Sequence, residues 1–257
     1  MNGYPLHIEK QQELLFKRVI DRLSRMALPK FKAKFEVKAD EDDFGSMKNN
    51  LNDEFKKKLI ATGYIAAEIE DVAKLLDDWS FTQTKKAILK LQKMKKKTAR
   101  EILPVIFEKE SPLVEHLINE YTKRNVMLVE ALGKEYIPQV AELASKTFHE
   151  GGSMKELTKQ LTQYTTESKN KAAFWARDQV GDCYSQFTEI RQTQAGFQSY
   201  FWRSAGDNHV RETHKALEGR VFTWKNGAST SGLLDKPGAR NPGQDWGCRC
   251  AAEACIE

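Results

Sequence analysis

At 257 residues the chain is long enough for one large domain or two modest ones, and either can bury a real core. Its 40% hydrophobic and 30% charged residues exclude wholesale disorder, and no apolar run approaches the roughly 20 residues that a membrane span requires. A formal charge of +5 is too mild to establish a nucleic-acid partner by itself. The opening Met1-Asn2-Gly3-Tyr4-Pro5 lacks the basic and then apolar stretch of a secretory signal. The chain is therefore expected to stay in the cytosol, where disulfides are uncommon.

In chain order, Leu14, Leu15, Val19, Leu23 and Met26 recur at helical spacing and predict a helix over 9–27, ended by Pro29. Phe31, Ala33, Phe35 and Val37 then alternate with polar positions, which suits a short strand or an extended segment ahead of the acidic residues 40–43. Helical signal returns over 49–97 in pieces: Leu51, Phe55, Leu59 and Ile60 form one stripe, Gly63 interrupts, and Ile65, Ile69, Val72, Leu75 and Leu76 form another. Ser80-Phe81-Thr82 reads as a fresh helix start, because a hydroxyl can accept from the first unpaired backbone amides. The helix expected after it, 85–100, carries eight basic residues and no acidic one. Lys90, Lys93, Lys96 and Lys97 are its candidate phosphate contacts; the competing reading is a solvated face. No aromatic residue interleaves them, so a stacking platform for single strands is not indicated.

Pro104 marks a break, and Pro112 suits the first turn of a helix containing Val114, Leu117, Ile118 and Tyr121. Helical patterning continues over 125–132 and 137–148. Gly151-Gly152-Ser153 is a stop followed by a start, with Ser153 as N-cap, Glu156 three residues on, and a helix from Met154. A polar stretch over 158–168 leads to a long amphipathic helix over 171–193 with Ala173, Phe174, Ala176, Val180, Tyr184, Phe187 and Ile190 on it. After Gly196 the texture changes. Residues 197–202, 220–224 and 249–256 read as short strands, and 226–246, rich in Gly, Ser, Pro and Asn, reads as a long irregular loop. The fold expected is mainly α with a small α+β C-terminal module, divided into a helical region 1–110 and a second region 111–257. Trp202 and Trp224 are expected in the module's core, and Trp246 is left open between core and partner-binding anchor.

Chemistry-bearing residues concentrate at the C-terminal end: Asp207, His209, Arg211, His214, Gly219, Pro242, Cys248, Arg249 and Cys250. Imidazole and thiolate are preferred zinc ligands, so His209, His214, Cys248 and Cys250 could close a tetrahedron, with zinc as the cofactor. One residue between the cysteines, instead of two to four, makes this spacing unlike a zinc knuckle and also strains a bond between them. The structural alternative has His214 hydrogen-bonded within the fold, Asp207 and Arg211 ion-paired, and the cysteines as small buried hydrophobes. A cysteine nucleophile with His214 as base is a third reading, but no local context of a cysteine enzyme accompanies it.

The ordered series Trp202, Asp207, Val210-Arg211-Glu212-Thr213-His214, Leu217, Gly219-Arg220-Val221-Phe222, Pro242 and Cys248-Arg249-Cys250 resembles the signature of the phage Mu protein F-like head morphogenesis family. The helix start at Gly151 to Met154, the step Ala176-Arg177, and Gly196 followed by aromatics resemble the approach to it. Asp178-Gln179 departs from the threonine and glutamate often found after that step. The resemblance covers roughly 125–257, and it makes Trp202, Asp207, Arg211, His214, Gly219, Cys248, Arg249 and Cys250 the family-motif residues.

This resemblance implies a minor head protein of a tailed phage or prophage, non-enzymatic, with no catalytic residues assigned. It implies partners in the portal protein, the scaffold or major capsid protein and packaged double-stranded DNA, and none in a membrane. The expected location is the virion head, in its interior or at the portal vertex, after assembly in the host cytoplasm. Some relatives carry a toxin domain after the shared region; with Glu257 following the cysteines so closely, none is expected here. The alternative from another class is a zinc-binding enzyme or nuclease acting on nucleic acid through the His/Cys cluster.

Overall fold

Apolar stripes at three-to-four-residue spacing produce long helices in a computed structural model, which describes residues 3–36, 41–93, 109–230 and 238–255. The helices are α1 (Leu6–Glu36), α2 (Glu41–Phe55, continued by a π-helical turn over Lys56–Ile60), α3 (Tyr64–Lys93), α4 (Pro112–His149) and α5 (Met154–Gln194). Then come β1 (Ser199–Arg203), the short helix α6 (Glu212–Lys215), β2 (Val221–Thr223), β3 (Ala228–Ser229), β4 (Ala239–Arg240) and β5 (Ala251–Cys255). The expected class, mainly α with a small strand-containing C-terminal module, is the one observed.

The chain forms two compact units from interleaved segments. One gathers Met1–Gln11, Glu70–Tyr121 and Trp175–Glu257, and the other Gln12–Ile69 and Thr122–Phe174. The second unit is helical. Its core holds Phe16, Val19, Ile20, Leu23 and Phe31 of α1, Leu51 and Phe55 of α2, and Val129, Leu132 and Val140 of α4, each 3% exposed or less. Gly133 lets α4 approach α2: a Cβ there would stand 2.1 Å from the Phe55 ring. Gln12 Nε2 donates to Asn125 Oδ1 across this core at 3.2 Å, so the two buried amides meet each other.

Pro29 does not end α1, and among the described residues the stretch expected as a strand or extended segment is helical through Glu36. Leu23, Ala27 and Phe31 are all fully buried and share one helical face, so the stripe runs straight past the proline. Phe31 stacks on Phe44 at 6.3 Å, and Phe35 meets Phe148 edge-on at 5.8 Å. An interior proline costs about 3 kcal/mol, an amount that burying one or two rings offsets. The alternation of 31, 33 and 35 contained a helical pair, 31 and 35, which outweighed the exposed Ala33 between them.

Ser80 likewise starts no helix. Helix α3 runs through it, and the fully buried hydroxyl pairs with Thr188 of α5 at 3.2 Å. Pro112 does open α4, and Ser153 does cap α5: the Glu156 amide donates to Ser153 Oγ at 3.2 Å. The patterned pieces 125–132 and 137–148 belong to one helix that passes Pro138, and 158–168 and 171–193 belong to α5. Lys90 is exposed, 3.5 Å from Glu253. Pro104, Lys96, Lys97 and the Lys93 side chain lie outside the described residues.

In the first unit, three strands pair antiparallel in the order β2-β1-β5. Tyr200 sits opposite Phe222 on one side and Ala254 on the other, and Trp202 opposite Ala252. On one face Tyr200, Trp202, Leu217, Trp224, Ala228, Cys248 and Cys250 form a core; Ile88 of α3 packs with Ala195 and Phe197 in another. Within the glycine-rich stretch 226–246, β3 and β4 pair, so this loop carries regular structure at both described ends. Asp77 and Arg191 form a bidentate pair at 2.8 and 2.7 Å, 7% and 3% exposed, and Arg191 also donates to the Lys109 carbonyl.

Candidate functional site

The site grows from three local structures. Arg211, extended at φ −62° and ψ 146°, turns the chain into α6, whose four residues bring His214 inward to 2% exposure. Gly219, at φ +73°, then returns the chain to the sheet, with its amide donating to the Trp202 carbonyl at 2.9 Å. Finally a turn over 241–248 delivers Cys248 and Cys250, 5% and 2% exposed, to the start of β5.

That turn is held against α5 by backbone rather than by side chains. A Cβ on Gly181 would stand 2.7 Å from the Cys248 carbonyl and 2.9 Å from that of Gly243, and a Cβ on Gly243 would meet the Gly181 carbonyl at 2.5 Å. Asp178 of α5 accepts the Gly247 amide at 3.0 Å. Asn241 accepts from the Tyr200 hydroxyl at 2.9 Å and donates to the Trp224 carbonyl at 3.3 Å, which fixes the other end of the turn.

At the centre, His214 Nδ1 lies 3.5 Å from both Cys248 Sγ and Cys250 Sγ, and the three ligand atoms lie within 4.8 Å of one another. His214 Nε2 faces Asp245 Oδ2 at 3.2 Å, both side chains 3% exposed or less. Trp202 stands edge-on to the imidazole at 5.5 Å. The thiols divide one proton unequally. Cys248 is drawn well below the ordinary thiol value, first by the hydrogen bond from Cys250 and then, against burial, by His214. Cys250 is pushed up by its bond to Cys248 and by burial, with the Trp202 side chain and Ala205 backbone acting the other way. Cys248 is thus the more acidic thiol of the two.

Of the four metal ligands expected, His214, Cys248 and Cys250 come together, while His209 is exposed and outside the cluster, its amide on Asp207 Oδ1 at 2.9 Å. The ion pair expected between Asp207 and Arg211 gives way to other partners: Arg211 donates to the Trp246 carbonyl, and Asp207 lies 4.0 Å from Arg249. Arg249 points instead at Glu9, 1% exposed, with Nε 3.0 Å from Oε2; this partner holds the guanidinium charge more firmly. Trp202 and Trp224 are core and Trp246 is half exposed.

Reading residues alone missed Glu9, Gly181 and Asp245. Gly181, an isolated glycine in a helical pattern, was the one legible signal of close packing. Glu9 carried none, since an acidic residue in a first helical turn is ordinary.

Residues 139–253 match the model of the family described as Phage Mu protein F like protein. An uncharacterized protein of Haemophilus influenzae strain Rd is 26% identical over 140 residues, which are 54% of this chain and 30% of that protein. The match thus spans less than a third of the relative's own length. No solved structure matches the chain. His214, the glycine turn, and the Cys248-Arg249-Cys250 run all fall inside the matched segment, so it is over residues 139–253 that this chain is similar to the phage Mu protein F-like family.

Proposed function

We propose that this protein is a minor head protein of a tailed phage or prophage, acting at the portal vertex in prohead assembly and in DNA packaging or delivery. The observation that carries this reading is the Mu protein F-like match over residues 139–253, of whose motif residues Trp202, Cys248 and Cys250 share one buried cluster. Region 111–257 is proposed as the head morphogenesis part and 1–110 as its helical partner. Helical surfaces would dock on the portal or scaffold, and the basic run through Lys90, Lys93, Lys96 and Lys97 would face packaged DNA. No helix among the described residues is long and apolar enough to cross a membrane.

Burial of His214, Cys248 and Cys250 favours a shape-holding role for the cluster over an enzyme's accessible centre. Quantitative mass spectrometry of proheads and mature virions, normalised to the portal protein, tests the proposal. A few copies per particle are expected; absence from both particle types overturns it. Reversing the four lysine charges with no change in packaging or DNA retention would remove the DNA contact alone.

A further inference from the structure

We propose that His214 Nδ1, Cys248 Sγ and Cys250 Sγ bind one zinc-class divalent cation, which ties α6 to the approach of β5. The inference rests on the cluster itself and is independent of any role in head assembly. Zinc bonds of about 2.3 Å to sulfur and about 2.0 Å to nitrogen, at the tetrahedral angle, put nitrogen and sulfur about 3.5 Å apart. Both sulfurs here stand 3.5 Å from the same nitrogen. One N–H can aim at only one of two sulfurs, whereas a cation between the three atoms engages all of them.

The surroundings fit the same assignment. Asp245, 3.2 Å from Nε2, favours a proton on that nitrogen and so leaves the Nδ1 lone pair for a metal, the arrangement common around zinc-bound histidines. The Cys250 amide donates to Cys248 Sγ at 3.4 Å, a contact that steadies a sulfur carrying negative charge. Two soft thiolates with one imidazole select zinc over magnesium or calcium, which prefer oxygen. Among the described residues the protein donors number three, with His209 outside, so these three side chains fill three positions of a tetrahedron.

The test uses the full chain, without a histidine tag, purified under reducing conditions. Elemental analysis is expected to find about one zinc per chain surviving gel filtration. Cobalt(II) added to the chelated protein is expected to give a thiolate-to-cobalt charge-transfer band and the intense visible bands of tetrahedral cobalt. His209→Ala keeps both signals, and Cys250→Ser loses them. A folded wild-type protein with neither zinc nor the cobalt band overturns the proposal, whatever the variants do. Loss of metal in His209→Ala as complete as in Cys250→Ser overturns the three-donor set.

Discussion

Arg249 and Glu9 stand 240 positions apart in sequence and share two ends of one ion pair, with Arg177 3.5 Å from the same carboxylate. A carboxylate at 1% exposure survives only with such partners, because burying an ion costs several kcal/mol before pairing returns it. The same reasoning applies to Asp77 and Arg191. Asp77→Ala removes the carboxylate that faces this buried guanidinium, and it is expected to cost about 3–5 kcal/mol, read as a lower urea midpoint. Glu189 shows the opposite sign. Burial alone raises its carboxyl above the ordinary value, so its charged form disfavours the fold and its protonation stabilises it. Stability from this group therefore grows as pH falls through the raised folded value and levels off below the unfolded one. Glu189→Gln should raise the melting temperature at pH 7.5, and the gain should shrink at pH 4.5; a gain equal at both values would show that ionisation is not its source.

At the scale of elements, glycine reverses its usual meaning twice. Gly→Ala in an open helix interior is worth up to about 1 kcal/mol of stability. At Gly181 and Gly133, however, the added carbon would stand 2.7 Å from a backbone carbonyl and 2.1 Å from an aromatic ring. Gly181→Ala is expected to destabilise by about 1–3 kcal/mol, since the carbonyls of Cys248 and Gly243 belong to a turn held at both ends. Helix-rich circular dichroism retained with a lowered midpoint would support this; a raised midpoint would refute the close approach. The cap of α5 is simpler. Ser153→Ala should cost about 1 kcal/mol, because the Glu156 amide loses its acceptor.

Two compact units built from interleaved segments bear on how the whole molecule can be cut. Met1–Gln11 and Glu70–Tyr121 share a unit with Trp175–Glu257, so residues 139–253 lack Glu9, Asp77 and Ile88, whose partners are Arg249, Arg191 and Phe197. A fragment of 139–253 is therefore expected to show poorly dispersed amide resonances, while the full chain shows dispersed ones. A well-dispersed fragment spectrum would establish that the matched region is self-sufficient.

Much of this was legible along the chain. Helix starts at Pro112 and Ser153 and the change of texture after Gly196 depend on neighbours a few residues apart or on short composition shifts. Such local physics determined where most elements lie, the mainly helical class and the motif that resembles Mu protein F. What only the tertiary structure decided was which interruptions matter. Pro29 and Ser80 are breakers in isolation, yet α1 and α3 run through them because ring burial at Phe31 and Phe35 and a hydroxyl partner at Thr188 outweigh the local cost. It also decided that His209 stands apart from the cluster while Asp245 backs it, and that Glu9 completes Arg249. Those are long-range choices, set by burial and charge pairing between residues that no sequence period connects.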